Sequence, residues 1–428
     1  MSGGGRIPLG ASANTSTAIT SQDSFAIDSF GRWRTSEPFT LFDAKNIFDD
    51  DGLASNVENN PLFFDNAETS GSGTSTSLRI DEASQRISVG ATTAGTRVRQ
   101  SLQRFNYQPG KSQEIITTFN FISLDAGVTK RAGYFDEENG LFLEADGTDV
   151  SLVRRTFTSG AAVDNSVAQA NWNVDRFDGT GPSGVTLDFT KTQILFIDFE
   201  WLGVGRVRMG FVVDGKIYYA HYFNNANNLS VVYMSTPNLP IRWEISNDGT
   251  GVASNLDTIC ATVISEGGAQ KTGKIRHAGS TAVCNANTAG TYYAVMGIRL
   301  KAEYIGQVID LLDVNLIEIT GGDSLEWQLR LNPAVAGTFT YADETNSALQ
   351  TAFGDTANEV TGGINIAGGF FASGQGGAAG VGGAALENAL RLGSKIDGTV
   401  DEIVLCVTPL PGSANTDVLG SMTWREIV

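Results

Sequence analysis

The chain has 428 residues and a formal net charge of −18. That length holds two or three domains, and that charge excludes broad association with nucleic acid or an anionic membrane, where phosphate contacts need clustered Lys and Arg. The 50 glycines, set against only 2 histidines and 5 methionines, together with frequent Thr, Ser, Asn and Val, form the profile of an all-β protein with many turns.

Residues 1 to about 28 are rich in Gly, Ser, Thr and Ala and have no sustained period, so they read as an extended arm. In "SFGRWRTSEPFTLFDAK" the aromatic residues lack helical spacing, and Pro38 disfavours helix at Glu37. Arg32 and Arg34 fall on one side of an extended chain and Trp33 on the other, while Phe39, Leu41 and Phe42 offer apolar anchors. The expectation is an attachment arm over 1–45 that grips an acidic neighbour, most simply another copy of this chain, through Arg32, Trp33, Arg34, Phe39 and Phe42. The run Asp49-Asp50-Asp51-Gly52 reads as a solvated turn, since the spacing of a calcium loop is absent.

Between about 60 and 245 short apolar runs alternate with turn signals. "SLRIDEASQRISVG" gives two strands, and 113–124 gives a long one with Ile115, Thr117, Phe119 and Phe121 on one face. "KTQILFIDFEWLG" alternates in the same way. "RVRMGFVVDGKIYYAHYF" is the clearest hairpin: Val207, Met209, Phe211 and Val213 share a face, Asp214-Gly215 turns, and Ile217 and Tyr219 return. Polar, small residues over 247–258 suggest a domain boundary, giving a first sandwich over 46–250 and a second over 251–428. New strand runs follow at 259–265, 292–300, 308–319 and 325–331. A glycine-rich loop or an extended glycine-lined packing segment is expected over 368–383, a short helix over 384–392, and two closing strands at the end. Many short strands with almost no helical period imply two β-sandwiches.

The three cysteines, Cys260, Cys284 and Cys406, show no CxxC and no zinc spacing. Three buried thiols are the reading, with a Cys260–Cys284 disulfide as the alternative. No apolar run approaches about 18 residues, and the first twenty residues lack the pattern of a secretory signal, so synthesis in a cytoplasm is expected.

Catalytic signals are sparse. His221 sits among Tyr218, Tyr219 and Tyr222, where a hydrogen-bonded core or edge histidine is the simpler reading, and His277 lies in a polar stretch. There is no GxSxG, no HExxH and no Walker loop. Asp198 and Glu200 in "IDFEW" share one face of a strand, and two acids about 5 to 10 Å apart are what a glycosidase needs. The simpler reading pairs them with Arg206 or Arg208. Trp201 is a candidate glycan contact, with Trp172, Trp243 and the aromatics near Tyr218 expected to be buried.

The stretches "FGRWRTSEPFTLFDAK", "TAGTRVRQSLQRFNYQPGKSQ", "RAGYFDEENGLFLE", "DFEWLGVGRVRMGFVVDGKIYYAHYFNNAN" and "YMSTPNLPIRWEI" resemble those of a family of virion structural proteins from tailed bacteriophages. The likeness is strong over roughly residues 25 to 245 and looser around "GDSLEWQLRLNPAVAGTFTY". It implies a tail or fibre-type appendage located in the virion, assembled as a homo-oligomer (a trimer) with other virion proteins as partners. It implies no catalytic residues, no metal and no cofactor. A head-surface protein and a host-glycan-binding lectin used in adsorption are the alternatives. The strand pattern of the first sandwich also resembles concanavalin-like or laminin-G-like jelly rolls.

Overall fold

A computed structural model describes residues 31, 37–46, 63–269, 272–319, 323–371, 379–382, 392–413 and 415–427. Its fold is all-β, in two sandwiches. Arg32, Trp33, Arg34, the acidic run at 49–51 and the helix expected over 384–392 (apart from Leu392) lie outside the described residues.

The first sandwich has two antiparallel sheets. Sheet I runs in space Lys216–Phe223, Val207–Val213, Thr192–Phe199, Gln113–Asn120, Ser254–Ser265, Ser84–Val89, Thr74–Arg79, with Phe39–Lys45 also paired to Ser254–Ser265. Sheet II runs Val163–Ala168, Asp149–Thr156, Gly140–Asp146, Val128–Phe135, Ile241–Asn247, Gly95–Ser101, Phe64–Gly71. Period-two alternation decides which side chains meet between them. Ile115, Phe119, Ile197, Phe199 and Met209 of sheet I pack against Tyr134, Leu141, Leu143, Trp243 and Ile245 of sheet II. The hairpin turns at Asp214-Gly215 with φ of 50° and 74°, the pair of positive values that a type I′ turn requires. A bulge between Met209 and Gly210 alters the return strand. Between the turn and that bulge Val213 pairs with Lys216, Val212 with Ile217 and Phe211 with Tyr218, so Tyr218 packs on the core beside Phe211 while Ile217 faces away and is exposed.

Two expected boundaries are corrected. Phe39–Lys45 is a strand of the first sandwich rather than a free arm, with Phe42 buried among Phe64 and Phe105. The polar stretch at 247–258 lies inside this sandwich, where 248–253 turn the chain from Ile241–Asn247 into the next strand. That strand, Ser254–Ser265, lies within sheet I and bonds to Gln113–Asn120 on one side. On its other side its first half bonds to Ser84–Val89 and its second half to Phe39–Lys45. The first sandwich thus extends to at least Ser265, not 250.

The second sandwich packs sheet III (Gly273–Gly279, Thr416–Ile427, Val308–Glu318, Ala379–Gly382, with Cys284–Ala286) on sheet IV. Sheet IV centres on Tyr292–Leu300, Glu402–Pro409 and Leu325–Leu331. Leu311, Val314, Met422 and Trp424 meet Ile298, Trp327, Leu329 and Leu405 in its core. The glycine-rich region is not all loop: Ile364–Phe371 and Ala379–Gly382 are strands. The cysteines are three free thiols, and the alternative Cys260–Cys284 disulfide is not formed, because the two belong to different sandwiches.

A strap of the second sandwich crosses onto the first. The Ser394 amide donates to the Leu102 carbonyl at 3.0 Å, and the Ile396 amide donates to Asp65 Oδ2 at 2.9 Å. Gly393 is required here, since a Cβ would stand 2.4 Å from the Leu102 oxygen. A second tie joins Asn238 Nδ2 to the Gly306 carbonyl at 3.1 Å.

Candidate functional site

The acids singled out in the sequence do not form an open site. Asp198 has no exposed surface. Its Oδ1 accepts from Arg208 Nε at 2.6 Å and its Oδ2 from the Tyr219 hydroxyl, while the Arg208 guanidinium lies 4.8 Å from the Tyr219 ring centre. Burial pushes the carboxyl up to about 6, although Arg208 and Tyr219 both act to lower it. Glu200 lies one residue beyond the end of the same strand. Trp201 is half-buried: its Nε1 donates to the Met234 carbonyl at 3.1 Å and its ring meets Tyr107 edge-on at 6.2 Å. The expected glycan contact is therefore engaged in packing and does not offer an open platform. Trp172 and Trp243 are buried.

His221 accepts from the Asn173 amide at 3.2 Å, and burial pushes its imidazole down to about 4. His277 is exposed and within 3.2 Å of Thr423 Oγ1. The two histidines lie in different sandwiches, as the sequence suggests. Of the expected arm contacts, Phe42 is buried in its own domain while Phe39 is 46% exposed.

What the structure does assemble is the outer face of sheet II. Arg242 and Glu244, two apart on one strand, share that face and meet Arg131 and Glu144 from the neighbouring strands. Arg131 Nε donates to Glu144 Oε2 at 2.7 Å and Arg131 Nη1 to Glu244. Arg242 Nη2 donates to Glu244 Oε2 at 2.6 Å and to Glu137 Oε1 at 2.8 Å. Burial acts to raise Glu244, but Arg242 and Arg131 outweigh it and hold the carboxyl below its ordinary range. The floor beneath this ladder is apolar: Phe135, Phe142 and Val153 form a small buried cluster, with Arg155 at 5.1 Å over the Phe142 ring and Arg242 at 5.5 Å over Phe135.

Where this face meets the second sandwich there is a cleft of ≈ 670 Å³. Its first wall carries Gln100, Arg104, Asp136, Glu137, Asn238 and Arg242; its second is formed by 302–307 and 394–398. A further hollow of ≈ 540 Å³ shares Glu137, Arg242, Ile396 and Asp397 with it. Arg104 is paired with Asp136, and the Asp136 carboxylate also accepts from the amides of Glu138 and Asn139 at 2.9 and 2.8 Å. The polar groups of the first wall are thus fixed before any ligand arrives. Tyr304, 45% exposed, stands at the second wall. Sequence reasoning missed this region. Its one local signal is the Arg-x-Glu spacing at 242–244, and the rest comes from strands and a strap far apart in the chain.

No family model matches the chain, and no curated protein matches it. Among solved structures it is similar to the carbohydrate recognition domain of Emp47p, at 11% identity and a TM-score of 0.30 over 48% of this chain and 89% of that one. A Bacteroides ovatus mixed-linkage glucan GH16 protein in complex with its product aligns at 9% identity and a TM-score of 0.34, over 52% of this chain and 99% of that one. A legume lectin-like domain from Entamoeba histolytica aligns at 10% identity and a TM-score of 0.27, over 47% and 89%. These are distant likenesses; the all-β architecture rests on the sheets themselves.

Proposed function

We propose that this chain is a non-catalytic structural component of a tailed-bacteriophage particle, a tail or fibre-type appendage that assembles as a homo-oligomer. Two things support the reading. One is the resemblance of the stretches quoted above to virion structural proteins. The other, which carries the non-catalytic part, is the sealed environment of Asp198: the acid best placed for sugar chemistry is enclosed by Arg208 and Tyr219 and has no surface to offer a substrate. A head-surface position is the alternative within the same reading. Labelled antibody and electron microscopy of purified particles provide the test. Label on the tail or fibres supports the appendage, label on the head moves the chain to the capsid surface, and its absence from purified particles rejects a virion role.

The cleft between the sandwiches favours a second reading, a host-glycan-binding module that serves adsorption. It carries polar side chains already held by hydrogen bonds, and it lies at a junction between domains, where small-ligand sites commonly occur. Binding of the intact oligomer to a glycan array tests this; no signal at high protein concentration rejects it.

A further inference from the structure

We propose that the cleft between sheet II and the second sandwich is a binding site for a neutral oligosaccharide of a few sugar units. The proposal rests on the glycan-binding reading and assigns to it a place, a ligand class and residues.

The chemistry of the walls selects the class. A sugar ring presents adjacent hydroxyls, each both donor and acceptor, along its edge and a C–H surface on its face. Planar polar side chains held in one rotamer match the first, and an aromatic ring matches the second. The cleft supplies both. Asp136 is held by Arg104 and by the amides of Glu138 and Asn139. Glu137 is held by Arg242, yet its side chain is 68% exposed and so free to accept from a ligand. Tyr304 presents an exposed ring from the opposite wall. Groups fixed beforehand lose little freedom on binding.

Charge narrows the class further. The walls carry five carboxylates (Asp136, Glu137, Glu138, Glu303, Asp397) against three cations (Arg104, Arg242, Lys395). Both arginines are already paired with carboxylates. An anionic sugar would meet net repulsion, and a neutral one would not. Among the described residues no group of three or more His, Cys, Asp or Glu is placed to hold a metal ion, so the acids are not arranged as a cation site. The volume of ≈ 670 Å³ lies within the roughly 300–1,000 Å³ of small-molecule sites.

The test uses the full chain on an array of neutral and acidic oligosaccharides of two to four units, followed by calorimetric titration of the best binder. Tyr304→Ala and Glu137→Ala should each weaken that binding about tenfold, the scale of one lost stacking or charged hydrogen-bond contact. His277→Ala, at an exposed residue that does not line the cleft, should leave it unchanged. Both cleft positions are exposed, and matched melting temperatures verify that the variants are folded. Binding of acidic sugars alone overturns the ligand class. Equal affinity in the cleft variants and wild type overturns the site while leaving glycan binding standing. No binding to any saccharide removes the glycan reading and the site together.

Discussion

Asp198 and Arg208 are register partners on adjacent strands of sheet I, and their side chains meet at 2.6 Å on the sheet's outer face with Tyr219 closing the remaining side. The pair is nearly or fully buried on both sides, the carboxylate completely so. Removing one member leaves the other charged and desolvated, the costly way to break a buried ion pair.

Arg208→Met should therefore destabilise the first sandwich by about 3–5 kcal/mol at neutral pH. Without Arg208 the Asp198 carboxyl would rise above its value of about 6. The folded variant would then hold that proton more tightly than the unfolded chain, so it gains stability as pH falls toward 6, a window in which the wild-type group changes little. Urea unfolding at pH 8 and pH 6 should show the gap narrowing on acidification; a constant gap would mean that the lost guanidinium mattered only for packing.

Phe42→Ala tests whether the expected arm is part of the domain. The ring lies 4.9 Å from Phe105 and 5.8 Å from Phe64, within the first core. Its truncation should cost about 3–5 kcal/mol. Deleting residues 1–45 removes the whole strand and should leave a first sandwich that aggregates or melts early, contrary to the arm expectation. An unchanged melting temperature for either variant would show that the strand is dispensable.

His221 supplies a pH signature. Its imidazole is held down to about 4 in the fold, against an ordinary value of 6.5. Between those values the unfolded chain binds the proton and the folded chain does not, so stability from this group is full above about 6.5 and is lost as pH falls toward 4. His221→Asn keeps an acceptor for the Asn173 amide and removes the titration. The wild type should lose more stability than this variant between pH 6.5 and 4.5; parallel curves would place the histidine in contact with solvent.

Gly393→Ala probes the strap. The new Cβ would fall 2.4 Å from the Leu102 carbonyl oxygen, which has to move to accommodate it. Both sandwiches should keep their strand signal by circular dichroism, while small-angle scattering reports a larger radius of gyration as the domains part. The ≈ 670 Å³ cleft would widen with them, so ligand affinity should fall in the same variant.

Local pattern made much of the first sandwich legible. The hairpin around Asp214-Gly215 and the buried alternation of Ile115, Thr117 and Phe119 follow from side-chain period and turn chemistry that neighbouring residues determine. The errors arose where pairing is non-local. Phe39–Lys45 looked like an arm because its partner strand is far away: Thr262 Oγ1 donates to the Phe42 carbonyl across 220 residues. The polar residues near 250 indicated a turn, and composition does not distinguish a turn within a sheet from a linker between domains. The ladder of Arg131, Glu144, Glu244 and Arg242 draws on three strands, and no single strand reveals which charges will stand beside it. Tyr304 comes to the cleft only through the docking of a second domain.

The strand Ser254–Ser265 has a kinetic consequence. It lies between Gln113–Asn120 on one side and Ser84–Val89 and Phe39–Lys45 on the other. During synthesis the earlier strands emerge with the middle of sheet I still missing. At about 5–20 residues per second the ribosome takes on the order of ten seconds or more to deliver it. Until then Gln113–Asn120 presents an unpaired edge to the crowded cell, the condition that favours wrong pairing between nascent chains. Slowing translation before Ser254 should therefore lower the soluble yield, whereas slowing it after Ser265 should not.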